Sequence, residues 1–150
     1  MPLNQDGFVI YVEKSPAAIS VAESEQIPKE ISYKMISYNH HSMRGKLQEK
    51  KNTILKLAEL LEAKRTELAK VDSRFCSDIF YLFNNLNIRH NNVDPSINGK
   101  FKQAVADMPP EELEHWYDET YQMCLIAFLR LEQADRKIEF DKLKSVIEST

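Results

Sequence analysis

Glycine is nearly missing: 3 residues in 150, about 2%, against the roughly 7% of an average protein. Sandwiches, barrels and doubly wound nucleotide folds need turn glycines every few residues, so this scarcity argues against all three. Cysteine is scarce as well, with two in the chain, too few for a disulfide scaffold. Cys76 and Cys124 sit in apolar surroundings, as small hydrophobes do, and this usage points to a reducing, cytoplasmic setting. No apolar run approaches the ~18 residues a membrane span needs. Met1 to Val12 has no basic leader region, and its apolar run from Phe8 to Val12 is too short for a signal peptide. An excess of positive charge is absent too: the formal net charge is −3, which argues against nucleic acid as the main partner.

What is present is a chain 43% hydrophobic and 29% charged, long enough for one domain that buries its own core without staples. Proline and glycine fall at 2, 7, 16, 28, 45, 95, 99, 109 and 110, leaving two unbroken blocks, Lys46 to Asp94 and Glu111 to Thr150. Blocks of that length without a breaker predict long helices. At 100° per residue, Leu47, Leu57, Ala58, Leu61, Leu68, Phe75, Ile79, Leu82, Phe83 and Leu86 share one arc of roughly 120°. The common phase predicts one helix of about forty residues, near 60 Å long. Lys64, Arg65 and Asp72 interrupt the stripe, and Asp72-Ser73 offers a cap for a second helix instead.

The second block opens with Pro109-Pro110-Glu111-Glu112, where proline and acids both suit a first helical turn. Leu113, Trp116, Tyr117, Thr120, Cys124, Ala127, Leu131, Ala134 and Ile138 form one stripe along it. Leu125, Leu129, Phe140, Leu143 and Ile147 form another, about 120–180° away. A helix apolar on two sides must be covered on both, by the rest of the chain and by a second molecule. Shorter helices are predicted over 16–25 after Ser15, from Pro28 with Ile27, Ile31, Met35 and Tyr38 on one side, and from Asp94-Pro95 to Met108. Residues 8–12 are β-prone, and a lone strand has no sheet to join, so they read as an extended arm. The five asparagines from Asn84 to Asn92, with Arg89 and His90, read as a polar loop. The expected fold is therefore one all-α domain: two long antiparallel helices, shorter N-terminal helices packed on them, and residues 1–15 as an arm.

Charge is uneven. Arg44 to Lys70 holds eight Lys/Arg against four Glu, while Asp107 to Glu119 holds six acids and no Lys or Arg. These read either as solvated faces with a favourable acidic helix start, or as two patches that meet across an interface.

Signatures of chemistry are sparse. Glu112 and His115 have the i, i+3 spacing that lets a carboxylate and an imidazole share a metal, yet two ligands from one helix do not close a site. Trp116, Tyr117 and Tyr121 line either a core or a pocket rimmed by Glu112, His115 and Glu119. His40-His41 lies just before Gly45, at a helix boundary near the surface. No phosphate loop, G-x-S-x-G, C-x-x-C or H-E-x-x-H occurs, and no cofactor is implied. The leading expectation is a cytoplasmic interaction or regulatory protein that forms a homodimer through Leu125, Leu129, Phe140, Leu143 and Ile147, with Arg136 crossing the seam. The alternative is a ligand- or metal-binding bundle of weak enzymatic activity using Glu112, His115, Trp116 and Tyr121. A nucleic-acid surface built from Lys46, Lys50, Lys51, Lys56, Lys64 and Lys70 is the third.

Overall fold

Helices and their caps account for almost all of the regular structure in residues 15–97 and 99–149, the part described by the computed structural model. Seven α-helices and one 3-10 turn (His41–Met43) occur among these residues. The β-prone stretch 8–12 and the arm, apart from Ser15, lie outside them.

Ser15 caps α1 (Pro16–Ala22) by accepting the Ala18 N–H on its hydroxyl at 3.2 Å, with Pro16 in the first turn where no N–H is needed. After Pro28 comes α2 (Lys29–Tyr38), which buries Ile31, Met35 and Tyr38. Ile27 is buried too, so the apolar side is the one its spacing predicts.

The block from Lys46 is not one helix. It is three: α3 (Leu47–Ala63), α4 (Arg65–Val71) and α5 (Ser73–Asn85). The breaks fall at Lys64 and Asp72, the residues that interrupt the stripe. Asp72 is extended, and its carboxylate accepts the Phe75 N–H at 3.0 Å while its other oxygen pairs with Arg130 at 3.3 Å. A short acidic side chain is better used as a cap than as a mid-helix residue. The apolar positions nonetheless all face inward: Leu57, Ala58, Leu61, Leu68, Ile79, Phe83 and Leu86 are buried, and Leu47, Phe75 and Leu82 pack against them. Continuity of phase did not require continuity of helix, because all three pieces must face the same core.

The last helix, α7 (Pro110–Glu148), is a single rod of 39 residues, about 58 Å at 1.5 Å per residue. It is the element the others pack on, and its cross-links give their directions. In α2, Gln26 just ahead of the helix bonds the Phe128 carbonyl, Met35 is bonded by Tyr121, and Tyr38 bonds Asp118, so α2 runs antiparallel to α7. Lys50 meets Glu114 and Asp118 while Asp72 meets Arg130, so the chain through α3 and α4 advances with α7. It reverses at Asp72, and α5 returns until the Asn87 carbonyl accepts from the Tyr117 hydroxyl at 3.3 Å. The expected pair of long antiparallel helices is thus replaced by one long helix and shorter ones running both ways beside it.

The short helix expected between Asp94 and Met108 shrinks to one turn, α6 (Gln103–Ala106). The rest is a loop knotted by Asn92, which is wholly buried. Its side-chain amide donates to the carbonyls of Asn84 (3.2 Å) and Lys100 (2.7 Å), and its carbonyl accepts the Asn87 N–H at 2.7 Å. Asn87 returns the bond to the Asn92 N–H and takes the left-handed φ of 57° that asparagine tolerates at the end of α5. Asn92→Ala removes three bonds to part-buried backbone groups and empties a fully buried position, and should cost about 2 kcal/mol in chemical denaturation. Asn91→Ala, which loses only turn bonds from the Val93 and Asp94 N–H groups, should cost less than half of that.

Candidate functional site

Two places on the molecule concentrate chemistry: a polar cleft over the start of α7, and the bare end of the same helix.

The cleft, of about 530 Å³, lies between the end of α2, the 3-10 turn and the first turns of α7. Its floor is Lys50, whose side chain is only 7% exposed. The ammonium donates to Glu114 at 2.9 Å and to Asp118 at 2.8 Å, and lies 5.2 Å from the centre of the Tyr38 ring. The Tyr38 hydroxyl donates to the same Asp118 oxygen at 2.9 Å. Gly45, at φ 79°, turns the chain into α3 so that its N–H reaches Glu114 at 2.7 Å. The basic and acidic patches of the sequence therefore do meet, within one chain, across the contact of α3 with α7.

Electrostatics follow from that geometry. Burial opposes the charge on Lys50, but the hydrogen bonds to Asp118 and Glu114, and their charges, outweigh it and hold the ammonium above its ordinary pKa. Burial would raise Glu114, yet Lys50, the Gly45 N–H and Arg44 together bring it below the usual carboxylate value. Burial pushes Tyr117 up to about 12, and Tyr38 and Tyr121 higher still. A lowered carboxylate stabilises the fold above its unfolded pKa of about 4.3, and that support disappears as pH falls through the lowered value. Raised tyrosines act in the opposite direction, their support fading as pH rises from about 10 through about 12. Melting temperature should therefore form a plateau at neutral pH with two shoulders. Glu114→Gln should lower the plateau, flatten its acid limb and remove from the alkaline limb only the part that comes from Lys50, as followed by circular dichroism.

Lys50 is locked in its charged form and carries no nucleophilic lone pair. Burial raises the thiol pKa of both Cys124 and Cys76, which suits packing rather than attack. Of the nucleic-acid candidates, Lys50 is spent in this floor and Lys46 lies 4.0 Å from Glu49.

The pocket expected from Glu112, His115, Trp116 and Tyr121 does not assemble. His115 lines the cleft, Glu112 and Trp116 are exposed away from it, and Tyr121 is fully buried beneath. The Tyr121 ring stacks on Tyr38 at 3.9 Å, and its hydroxyl donates to the Met35 carbonyl at 2.8 Å. The reason is helical geometry: Tyr121 follows Tyr117 by one turn on the core side, whereas Glu112 and Trp116 sit on the turned-out side. No group of three or more His, Cys, Asp or Glu among the described residues is arranged to hold a metal. His40 and His41 stack on each other at 4.5 Å, since His40 is extended just ahead of the 3-10 turn, and His40 accepts the Ser42 N–H through Nδ1. The partners that sequence reasoning missed are Glu114 and Asp118, one turn apart on α7. Their signal was present as an i, i+4 acid pair inside the acidic patch.

The second place is the end of α7. Its buried residues stop at Leu131. Beyond that, Ile138, Phe140, Leu143, Val146 and Ile147 are each more than half exposed. The expected seam is divided by this boundary. Leu125 is buried in its own chain and Leu129 packs half-buried against the core, so these two serve the fold, while Arg136, Phe140, Leu143 and Ile147 are exposed. The correction has a simple origin: α1, α3, α4 and α5 all pack on α7, so more of its flank is covered than a single antiparallel partner would cover. Among the described residues no helix is long and apolar enough to cross a membrane. Compared with protein-family models, curated proteins and solved structures, the chain matches none, so any statement of its role rests on its own residues.

Proposed function

We propose that this protein is a small self-associating interaction module: a helical body from which the last third of α7 projects as a docking rod. One observation carries the reading. Three large apolar side chains, Phe140, Leu143 and Ile147, stand more than half in water along one side of a helix that has already left its own core. Single exposed apolar residues are ordinary, but a contiguous set is the mark of an interaction surface. The buried, unpaired thiols Cys76 and Cys124 fit a reducing compartment such as the cytoplasm.

Sedimentation velocity tests this. The wild type is expected to sediment as a dimer at micromolar concentration. Phe140→Glu combined with Leu143→Glu is expected to weaken association at least a hundredfold, with the far-ultraviolet dichroism preserved because neither residue touches the core. A wild type that stays monomeric at tens of micromolar overturns the reading.

A further inference from the structure

We propose that the partner on this rod is a second copy of the chain, docked in parallel and in register as a two-stranded coiled coil. This rests on the self-association just proposed and adds its geometry. From Ile126 the outer side of α7 steps by alternate threes and fours through Leu129, Gln133, Arg136, Phe140, Leu143 and Ile147. That is the a/d spacing of a heptad repeat, kept for three heptads. With Phe140 at zero on a helical projection, Cys124, Ala127 and Leu131 lie about 140–200° round, so the body occupies one side of the rod and the seam the other. Ile126, beside the body, is still 45% exposed. A second helix can therefore follow the seam from Gln133 onward, while Leu129, at its inner end, already packs half-buried against the body.

Charge chooses the partner and its direction. The e positions of this repeat are Arg130, Lys137 and Lys144, and the charged g positions are Glu132 and Glu139. In a parallel pair each g faces the e five residues on in the other helix, which sets Glu132 against Lys137 and Glu139 against Lys144 on both sides of the seam. In an antiparallel pair e faces e and g faces g, so bases meet bases and acids meet acids. Arg130 is already held by Asp72, Glu132 by Gln26 and Arg136, and Lys137 by Asp141, so Glu139 and Lys144, exposed at the surface, form the pair that carries the choice of direction. Register follows from the two polar seam residues. Aligned, Gln133 meets Gln133 and Arg136 meets Arg136, the latter 3.7 Å from Glu132 of its own helix, which offsets the like charge. A slip of one heptad would press Arg136 against Leu143 and Gln133 against Phe140.

Two measurements decide it. Leu143→Cys, oxidised mildly, should link to itself in most chains, because parallel seam positions lie within the roughly 4.4–6.8 Å Cα span of a disulfide. The wild type, with Cys76 and Cys124 buried, should not link. If Leu143→Cys fails to link to itself but links to Ile126→Cys in a mixture, the helices are antiparallel and the inference falls while self-association stands. Independently, Lys144→Glu should weaken the dimer severalfold at low salt, and adding Glu139→Lys on the same chain should restore it. An antiparallel pair gives the opposite sign, since Glu at 144 would face Arg130, and a strengthened dimer overturns the proposal. A wild-type monomer in sedimentation removes both the geometry and the reading beneath it.

Discussion

Tyr121→Ala is expected to lower the unfolding free energy by about 4 kcal/mol, the range of a buried aromatic reduced to a methyl group. The ring is fully buried between α2 and α7, stacked on Tyr38 with an interplanar angle of 4°. Its removal leaves a cavity that a stack of rigid helices cannot close, and it also strips the Met35 carbonyl of its hydroxyl donor. For a chain of this length, 4 kcal/mol corresponds to a fall of roughly 8–16 °C in melting temperature. Tyr121→Phe keeps the volume and loses the hydrogen bond alone, so about 1 kcal/mol is expected. The ratio of the two separates packing from polarity. A cost near 1 kcal/mol for the alanine variant would mean that Tyr121 lines an open pocket rather than the core.

Lys50→Ala is expected to cost about 3 kcal/mol. Taking one partner out of a buried ionic cluster leaves the others desolvated and unpaired, which costs more than the cluster contributes when whole. Glu114 is the residue left worst placed, at 16% side-chain exposure, whereas Asp118 at 46% can recover water, and this keeps the cost at the low end of the usual range. Lys50→Met with Glu114→Gln should recover much of the loss, because the pair then carries no orphaned charge. Urea denaturation of the three proteins gives the numbers directly. Equal stability of the single and double variants would show that Glu114 does not depend on Lys50.

What could be read before folding was what repeats locally. The inward faces of α2, α3, α5 and α7 follow from 3.6-residue spacing, and the Ser15 and Pro109-Pro110 starts follow from capping chemistry. The continuity of α7 follows from the lack of any breaker after Pro110. The polar character of the asparagine stretch was visible in the same way, though not the part Asn92 plays in it.

The break at Asp72 sits between these cases. A capping residue stood in the sequence, and in the fold it caps with one carboxylate oxygen while the other meets Arg130, 58 residues away, a partner no local pattern announces. The Lys50 floor is likewise a product of assembly, since nothing local links position 50 to 114, 118 and 38. The division of the C-terminal stripe between Leu125 inside and Phe140 outside belongs here as well. Periodicity reports which side of a helix is apolar, because each side chain's direction depends only on its place along the turn. How far the neighbouring helices reach along that side depends on where the chain reverses, and only the folded arrangement of α3, α4 and α5 decides that.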